Sequence, residues 1–189
     1  MSGKKVWVFY LYCTALFAAV YLPGTASESA APQIFAPGVI STGHEFGITF
    51  TPNGKELYFS RFESKKPIHI FHAVMADGKW QQPEPISFSS DHWSDLDPFL
   101  SPDGTHLFFV STRPAPWAAA GSKNMDIWVA TMESGKWGEP RWLEGVNSAG
   151  KEGSPSVDRA GNLYGITEVG GDTDRCSRLG CGVAYEIKP

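Results

Sequence analysis

Three carboxylates stand at one position of an internal repeat. Each lies nine residues ahead of a repeated glycine: Glu45 before Gly54, Asp95 before Gly104 and Glu152 before Gly161. Equivalent loop acids that converge on one place would offer oxygen ligands to a cation or to another polar group. The alternative is structural, because a carboxylate at a loop end can accept backbone N–H bonds and tie one repeat to the next. The sequence leaves both interpretations open.

Two histidines lie close to these acids in the sequence. His44 directly precedes Glu45, and His92 lies three residues before Asp95. If the loops meet, these four side chains would form a general acid–base or metal-binding cluster. The other interpretation is that they are solvated loop residues, since closeness in sequence does not establish geometry. The candidate ligand-binding residues are therefore Glu45, Asp95, Glu152, His44 and His92, and no catalytic residue or metal ligand is assigned.

The elements that must position these residues repeat every 50 to 57 residues. Residues 50–60 recur as residues 100–110, and both copies carry a Pro-Asn-Gly or Pro-Asp-Gly turn between aromatic and branched runs. A second element follows each copy and ends in Gly-Lys-Trp, at Trp80 and at Trp137. Such turns and runs predict two β-hairpins in each repeat. Four strands in about 50 residues are typical of a propeller blade, and a weaker third copy spans 157–165.

The predicted fold class is all-β, a partial β-propeller of about three four-stranded antiparallel blades. No segment of the mature chain shows a convincing helical period, and prolines interrupt most windows long enough for a helix. We predict a signal peptide at 1–29 and propeller repeats over 30–189. The expected repeat boundaries are 44–93, 94–150 and a degenerate 151–189.

Two segments carry a resemblance to a known family. Residues 97–104 (Asp-Pro-Phe-Leu-Ser-Pro-Asp-Gly), followed by 124–129 (Asn-Met-Asp-Ile-Trp-Val), resemble the WD40-like repeat, or PD40 repeat, of TolB-type propellers. The opening segment 34–41 and the connecting segment 145–148 are similar to secreted bacterial members of that group. The resemblance implies a β-propeller in the periplasm or outside the cell. It implies no particular activity, because one fold hosts many functions.

The first thirty residues have the pattern of a secretory leader. Lys4 and Lys5 precede an apolar run at 6–22, which is closed by a Pro-Gly pair and small residues. This order is typical of a signal peptide, and cleavage is expected after Ala26 or Ser29. An uncleaved membrane anchor is the alternative, since the run approaches the length that spans hydrocarbon. The predicted location is periplasmic or extracellular, with no membrane span after the leader is removed.

Export determines how the cysteines are interpreted. Removal of the leader leaves Cys176 and Cys181, and in an oxidising compartment two cysteines in a Gly-rich stretch most simply form a local disulfide. A metal site there would need two more ligands, and no histidine follows His106. The formal net charge of −4 argues against nucleic acid as a partner.

Two classes of function fit these features. The first is an exported, non-catalytic propeller that binds a protein, peptide or glycan through its loops. The second is a propeller enzyme, such as a polysaccharide lyase or glycoside hydrolase acting at the channel mouth. The histidine and acid set is thin, which favours binding, and no cofactor is expected. Closed propellers have four to eight blades, so three blades predict self-association, a compact open arc capped by the atypical tail, or a truncated product of a longer gene.

Removal of the leader is open to direct measurement. Intact-mass analysis of exported protein should show a chain that begins near Ser27 or Ala30. A chain that retains Met1 in the membrane fraction would contradict the signal-peptide interpretation and favour the anchor.

Overall fold

The structure is a computed structural model that describes residues 31–118, 124–148, 150–168 and 182–188. The chain divides into the units Met1–Gln33 and Ile34–Pro189, and every described strand belongs to the second unit. The described residues form thirteen strands and no helix, so they contain no helical segment able to cross a membrane. The predicted signal peptide and the cysteines Cys176 and Cys181 lie outside the described residues.

The first blade is an antiparallel meander whose outer strand is broken in two. Its strands are β1 (His44–Phe50), β2 (Glu56–Phe62), β3 (His69–Ala76), β4 (Lys79–Trp80) and β5 (Glu84–Pro85). Both short pieces pair with β3, but the register slips by one residue between the pair Met75–Trp80 and the pair Phe71–Pro85. The break contains Pro83, which has no N–H to donate to the ladder.

The second blade repeats this arrangement and the third shows part of it. The second blade comprises β6 (Asp95–Leu100), β7 (His106–Ser111), β8 (Asp126–Glu133), β9 (Lys136–Trp137) and β10 (Arg141–Trp142), and the third comprises β11 (Glu152–Val157), β12 (Leu163–Thr167) and β13 (Ala184–Ile187). The predicted all-β partial propeller of antiparallel blades is confirmed. The third blade has three strands rather than four among the described residues.

Tight turns close the second hairpin of each complete blade. Asp77 and Gly78 have φ values of 51° and 73°, and Ser134 and Gly135 have values of 50° and 81°. Positive φ at both central residues defines a type I′ turn, whose twist matches that of the flanking strands. The Asp-Gly and Ser-Gly pairs therefore form the hairpins that the sequence predicts.

Side chains organise the first hairpin of each complete blade. The Asn53 side-chain oxygen accepts the Lys55 N–H at 2.8 Å, and Asp103 Oδ1 accepts the Thr105 N–H at 3.0 Å. Asp103 also accepts a hydrogen bond from the Ser101 hydroxyl at 2.5 Å. The hydrogen bond from the Ser101 hydroxyl, and next in size that from the Thr105 N–H, lower the pKa of Asp103 to about 2. An ionised carboxylate therefore stabilises this turn at neutral pH.

A β-bulge lies at the same place in the innermost strand of all three blades. The ladder register shifts there, and the bulged residue has a positive φ: 59° at Gly47, 51° at Asp97 and 51° at Ser154. A Cβ added at Gly47 would lie 3.1 Å from both Cα and Oδ1 of Asp97. The bulges of the first two blades are therefore in close contact, and glycine is required at position 47 for both its φ and its lack of a Cβ.

Two apolar clusters flank the first blade. The first lies between blades 1 and 2 and contains Tyr58, Ile70, Ile86, Leu100, Leu107, Phe109, Trp128 and Ala130. The second lies on the opposite face of blade 1, where Leu57, Phe59 and Phe71 pack under Ile40 and Val39. The segment before β1, residues 34–43, which we call the N-terminal linker, therefore covers the free face of the first blade.

Substitution of Gly47 by alanine tests the contact between the bulges. Gly54 has a similar φ of 68°, but nothing lies within 4 Å of its added Cβ. Both G47A and G54A should lose about 1 to 2 kcal/mol from left-handed backbone strain, and G47A should lose about 1 to 3 kcal/mol more from the clash with Asp97. Urea unfolding of both variants measures the difference, and equal losses would contradict close packing of the bulges.

Candidate functional site

The acid of the second blade is held in a buried ion pair. Asp95 is the first residue of β6 and is fully buried. Its Oδ1 contacts Arg113 Nη1, its Oδ2 accepts Arg113 Nη2 at 3.1 Å, and the Ser111 hydroxyl donates to Oδ1 at 2.7 Å. Arg113 Nη2 also donates to the backbone carbonyl of Phe88 at 2.9 Å. Burial raises the pKa of Asp95, and Arg113 and Ser111 oppose that shift.

The acid of the first blade makes the same kind of connection. Arg61 Nε donates to Glu45 Oε1 at 3.1 Å, and Arg61 Nη2 donates to the Ile40 carbonyl at 3.1 Å. Glu45 also accepts the Gly43 N–H at 3.0 Å and the Thr42 hydroxyl at 2.9 Å. Burial alone raises the pKa of Glu45, but the bonds from Gly43 and Thr42 and the charge of Arg61 lower it overall. The pair therefore fastens the N-terminal linker to its blade.

Both guanidinium groups lie against aromatic rings. The Arg61 guanidinium lies 5.1 Å from the Phe59 ring centroid and 4.8 Å from that of Phe71. The Arg113 guanidinium lies within 6 Å of three ring centroids, those of Phe88, Phe109 and Trp128. Cation–π attraction adds to the ion pair where water is excluded. Charge, a backbone hydrogen bond and aromatic packing thus act at one point in each complete blade.

Among the described residues, the acid of the third blade has no arginine partner. Glu152 is 2% exposed, and Oε1 accepts a hydrogen bond from the Ser148 hydroxyl, whereas Oε2 has no hydrogen-bond partner. Thr167 pairs with Glu152 where Arg61 pairs with Glu45 in the first blade. Burial is the main cause that raises the pKa of Glu152.

The negative charge of Asp126 increases the cost of ionising Glu152, and Glu152 in turn affects Tyr185. Asp126 is buried, accepts the Trp142 indole N–H at 2.9 Å, and its negative charge also raises the pKa of Glu152. The Tyr185 hydroxyl is buried without a hydrogen-bond partner, and its pKa is raised to about 12 by burial and then by Glu152. A Cβ on Gly165 would lie 2.2 Å from that hydroxyl, so the Tyr185 ring fills the space beside Gly165.

The five residues named from the sequence are each held by other partners. Within the described ranges, no hydrogen bond or ion pair joins Glu45, Asp95 and Glu152 to one another or to the two histidines. No group of three or more His, Cys, Asp or Glu side chains in that part of the chain is placed to hold a metal ion. His44 is exposed, with its ring 6.1 Å from that of Phe62, and His92 is exposed beside Trp93.

A groove between the first two blades brings different residues together. Its volume is about 580 Å³, and its lining includes Glu56, Tyr58, His72 and Glu84 from blade 1 and Trp137 from blade 2. The Tyr58 and His72 rings stack with centroids 4.7 Å apart and an interplanar angle of 14°. The Trp137 indole N–H donates to the Tyr58 hydroxyl at 3.2 Å, and His72 Nε2 lies 2.9 Å from Glu56 Oε2. The aromatic wall is therefore held in place by its own hydrogen bonds.

The groove combines ring faces with hydrogen-bond acceptors. Glu84 is exposed and Glu56 is partly exposed, so both carboxylates can accept hydrogen bonds from a ligand. Burial is the main reason that the pKa of Tyr58 is raised. The Tyr58 hydroxyl is therefore protonated at neutral pH. Aromatic rings with a few convergent polar groups are typical of sites for sugars and peptides.

The sequence contained only one sign of this groove. Trp80 and Trp137 each follow a Gly-Lys pair, so the repeat places the two tryptophans at the same position of their blades. The contact of Trp137 with Tyr58 joins residues 79 positions apart on different blades. The stack of Tyr58 on His72 depends on the exact register of β2 against β3, which the turn pattern alone does not reveal.

The next junction has a related groove with different chemistry. It measures about 680 Å³ and lies between the first hairpin turns of blades 2 and 3. Phe108 takes the place of Tyr58 and His106 that of Glu56, while Asp103 and Arg159 add charges of both signs. The rings of His106 and Phe108 also stack there, with centroids 6.3 Å apart, but the described lining of this second groove includes no tryptophan.

Comparison with solved structures finds TolB proteins. The chain is similar to TolB from Acinetobacter baumannii, with a TM-score of 0.45 and 14% identity over 77% of this chain and 30% of that chain. It is also similar to a protein assigned as TolB from Agrobacterium tumefaciens, with a TM-score of 0.46 and 15% identity over 74% of this chain and 48% of that chain. The likeness concerns the fold alone, and the chain spans less than half the length of either protein. No family model and no curated protein matches the chain.

The three repeated carboxylates, Glu45, Asp95 and Glu152, are called the acid column here. Two matched substitutions in the acid column should respond to pH in opposite directions. The pKa of Glu152 is raised in the folded state, so its ionisation removes stability as pH rises through the folded pKa. The pKa of Glu45 is lowered, so its ionisation adds stability above the unfolded pKa, and this is lost as pH falls. At pH 7, E152Q should therefore be more stable than the natural chain and E45Q less stable.

Both differences should shrink when the carboxylates are protonated. Thermal unfolding of the three proteins between pH 3 and pH 8 measures this. A shift of the same sign for E152Q and E45Q at pH 7 would contradict the assignment of Glu152 as the acid without a cation.

Proposed function

We propose that this protein is an exported, non-catalytic binding module of the β-propeller class that takes a protein, peptide or glycan ligand. The proposed site is the groove between the first two blades. The observation that carries this proposal is the preformed aromatic wall, in which the buried Tyr58 holds the partly exposed rings of His72 and Trp137 in place. A wall fixed before the ligand arrives loses little conformational entropy on binding, which favours affinity.

The polar groups of the groove suit recognition of neutral or cationic hydrogen-bond donors. Glu56 and Glu84 accept hydrogen bonds, and Lys136 supplies one positive charge at the rim. Sugar hydroxyls and peptide N–H groups are donors of this kind, and both ligands have apolar faces that pack on aromatic rings. The proposal assigns recognition to these groups and no bond-breaking step.

The acid column has a structural role in this proposal. Glu45 and Asp95 fasten linkers through their arginines, and none of Glu45, Asp95, Glu152, His44 and His92 lines the groove. Export to the periplasm or the cell exterior is proposed on the leader pattern at 1–29. The disulfide between Cys176 and Cys181 is proposed on the same basis, since it requires an oxidising compartment.

Trp137 provides the direct test of the groove. The mature chain is applied to a glycan microarray and to a displayed random-peptide library, and the strongest binder from either is titrated by calorimetry. W137A should weaken that binder by about 30-fold or more, as expected for a central aromatic contact. E84Q should weaken it less and cannot disturb the core, because Glu84 is exposed.

Trp117 supplies the matched control. It is 67% exposed and lies outside the groove, so W117A should bind like the natural chain. Equal binding by W137A and the natural chain would overturn the groove as the site. Release of shortened oligosaccharides from a polysaccharide substrate would overturn the non-catalytic assignment and favour the enzyme alternative.

A further inference from the structure

The groove between the first two blades offers more hydrogen-bond acceptors than donors beside its aromatic wall. The Trp137 indole N–H already donates to the Tyr58 hydroxyl at 3.2 Å. His72 Nε2 lies 2.9 Å from Glu56 Oε2, and this nitrogen carries the proton of that hydrogen bond because an ionised carboxylate only accepts. These two ring N–H groups are therefore occupied, whereas the carboxylates of Glu56 and Glu84 retain lone pairs for a ligand.

The charge of the described lining is negative on balance. Glu56 lies on β2 and Glu84 on β5, the strands on both sides of β3, and Lys136 is the one cation of that lining. Apart from the buried Tyr58 hydroxyl, Ser87 and Lys136 hold the remaining side-chain donors, and both are exposed. A ligand in this groove must therefore supply hydrogen-bond donors, and a positive charge on the ligand is favoured.

Inside its blades, this chain twice binds a guanidinium group with a carboxylate and aromatic rings. Arg61 Nε donates to Glu45 Oε1 at 3.1 Å, and the guanidinium lies 4.8 Å from the Phe71 ring centroid. The Arg113 guanidinium pairs with Asp95 and lies within 6 Å of three ring centroids. A carboxylate beside an aromatic ring is therefore an arrangement that holds arginine in this fold.

The groove presents the same two groups at the surface. The rings of His72 and Trp137 are partly exposed, and within the described ranges no arginine or lysine forms an ion pair with Glu56 or Glu84. A guanidinium has five N–H donors, no acceptor and a flat face that stacks on aromatic rings. A sugar also accepts hydrogen bonds through its hydroxyl oxygens, and this groove has few donors for them. An arginine side chain therefore matches the groove more closely than a glycan does.

We propose that the ligand of this groove is a peptide whose arginine side chain stacks on the Trp137 ring and donates to Glu56 and Glu84. This inference rests on the proposed function, because it names the ligand class for the same groove. The rest of the lining favours a peptide over free arginine. Pro85 and Met132 are at least partly exposed, so residues that flank the arginine have an apolar surface on which to pack.

Panning of a displayed random-peptide library on the purified protein tests the ligand class. The recovered binders should be enriched in arginine. The strongest binder is synthesised with its arginines intact and with each arginine replaced by citrulline, which keeps the shape of the side chain but is neutral. In calorimetric titrations, the citrulline peptide should bind about 10-fold or more weakly, because it loses hydrogen bonds between charged groups.

Substitution of Glu84 locates the partner of that charge. E84Q should weaken the arginine peptide by about 5-fold and leave the citrulline peptide nearly unchanged, because the lost interaction needs both charges. Glu84 is exposed, so E84Q retains the fold. E144Q is the matched control, because Glu144 is an exposed carboxylate outside the groove lining, and it should bind both peptides like the natural chain.

Three results would overturn the arginine peptide: binders that are not enriched in arginine, a citrulline peptide that binds as tightly as its parent, or equal effects of E84Q and E144Q. N-acetylarginine amide that competes as strongly as the whole peptide would overturn the peptide class.

Two further outcomes separate this inference from the proposed function. A neutral glycan that binds more tightly than any peptide, and is lost in W137A, would contradict the arginine peptide and keep the groove as the site. Equal binding of every probe by W137A and the natural chain would overturn the groove, and this inference with it.

Discussion

The buried pair of Asp95 and Arg113 fixes how one blade is placed on the next. Arg113 reaches the Phe88 carbonyl, so the pair binds the linker between blades 1 and 2 to the face of blade 2. The aromatic rings around the guanidinium exclude water and strengthen the attraction. Removal of either partner would leave an unpaired buried charge, which is among the costliest changes that one substitution can make in a core. The positions of the linker and of both adjacent blades depend on this pair.

The same constraint produces the groove. With the linker held, blade 2 packs on Tyr58 and Ile70, and its second hairpin brings Trp137 to the Tyr58 hydroxyl. The charged side chains of the acid column are used to hold linkers inside the structure, whereas those of the groove remain available at the surface. The acid column and the proposed recognition site are therefore built from separate residues, whereas Tyr58 belongs both to the groove and to the apolar cluster between the blades.

Much of the fold could be predicted from turn chemistry. Asp77-Gly78 and Ser134-Gly135 predicted hairpins, because these residue types tolerate positive φ. The acid column was visible as a repeat, but its pairing with Arg61 and Arg113 was not, since these arginines stand seven and nine residues after their repeat glycines. The convergence of acids and histidines remained open because it depends on where loops lie in space. The groove could not be predicted from the sequence, because the contact between two blades forms it.

In the third blade, the carboxylate of the acid column has no arginine partner among the described residues. This carboxylate is that of Glu152, whose Oε2 has no hydrogen-bond partner, and the Tyr185 ring fills the space beside Gly165. The weak third copy in the sequence thus corresponds to a weaker anchor in the structure. The third blade preserves the backbone of the repeat, including the bulge at Ser154, although its described residues contain no arginine paired with Glu152.

The most direct test of this account is a double-mutant cycle on Asp95 and Arg113. The free energy of unfolding is measured by urea denaturation for the natural chain, D95N, R113M and the double variant. The account predicts that each single variant loses about 3 to 5 kcal/mol and that the double variant loses less than the sum, with a coupling energy of about 2 kcal/mol or more. Additive losses, or single variants as stable as the natural chain, would contradict the claim that this pair holds the blades together.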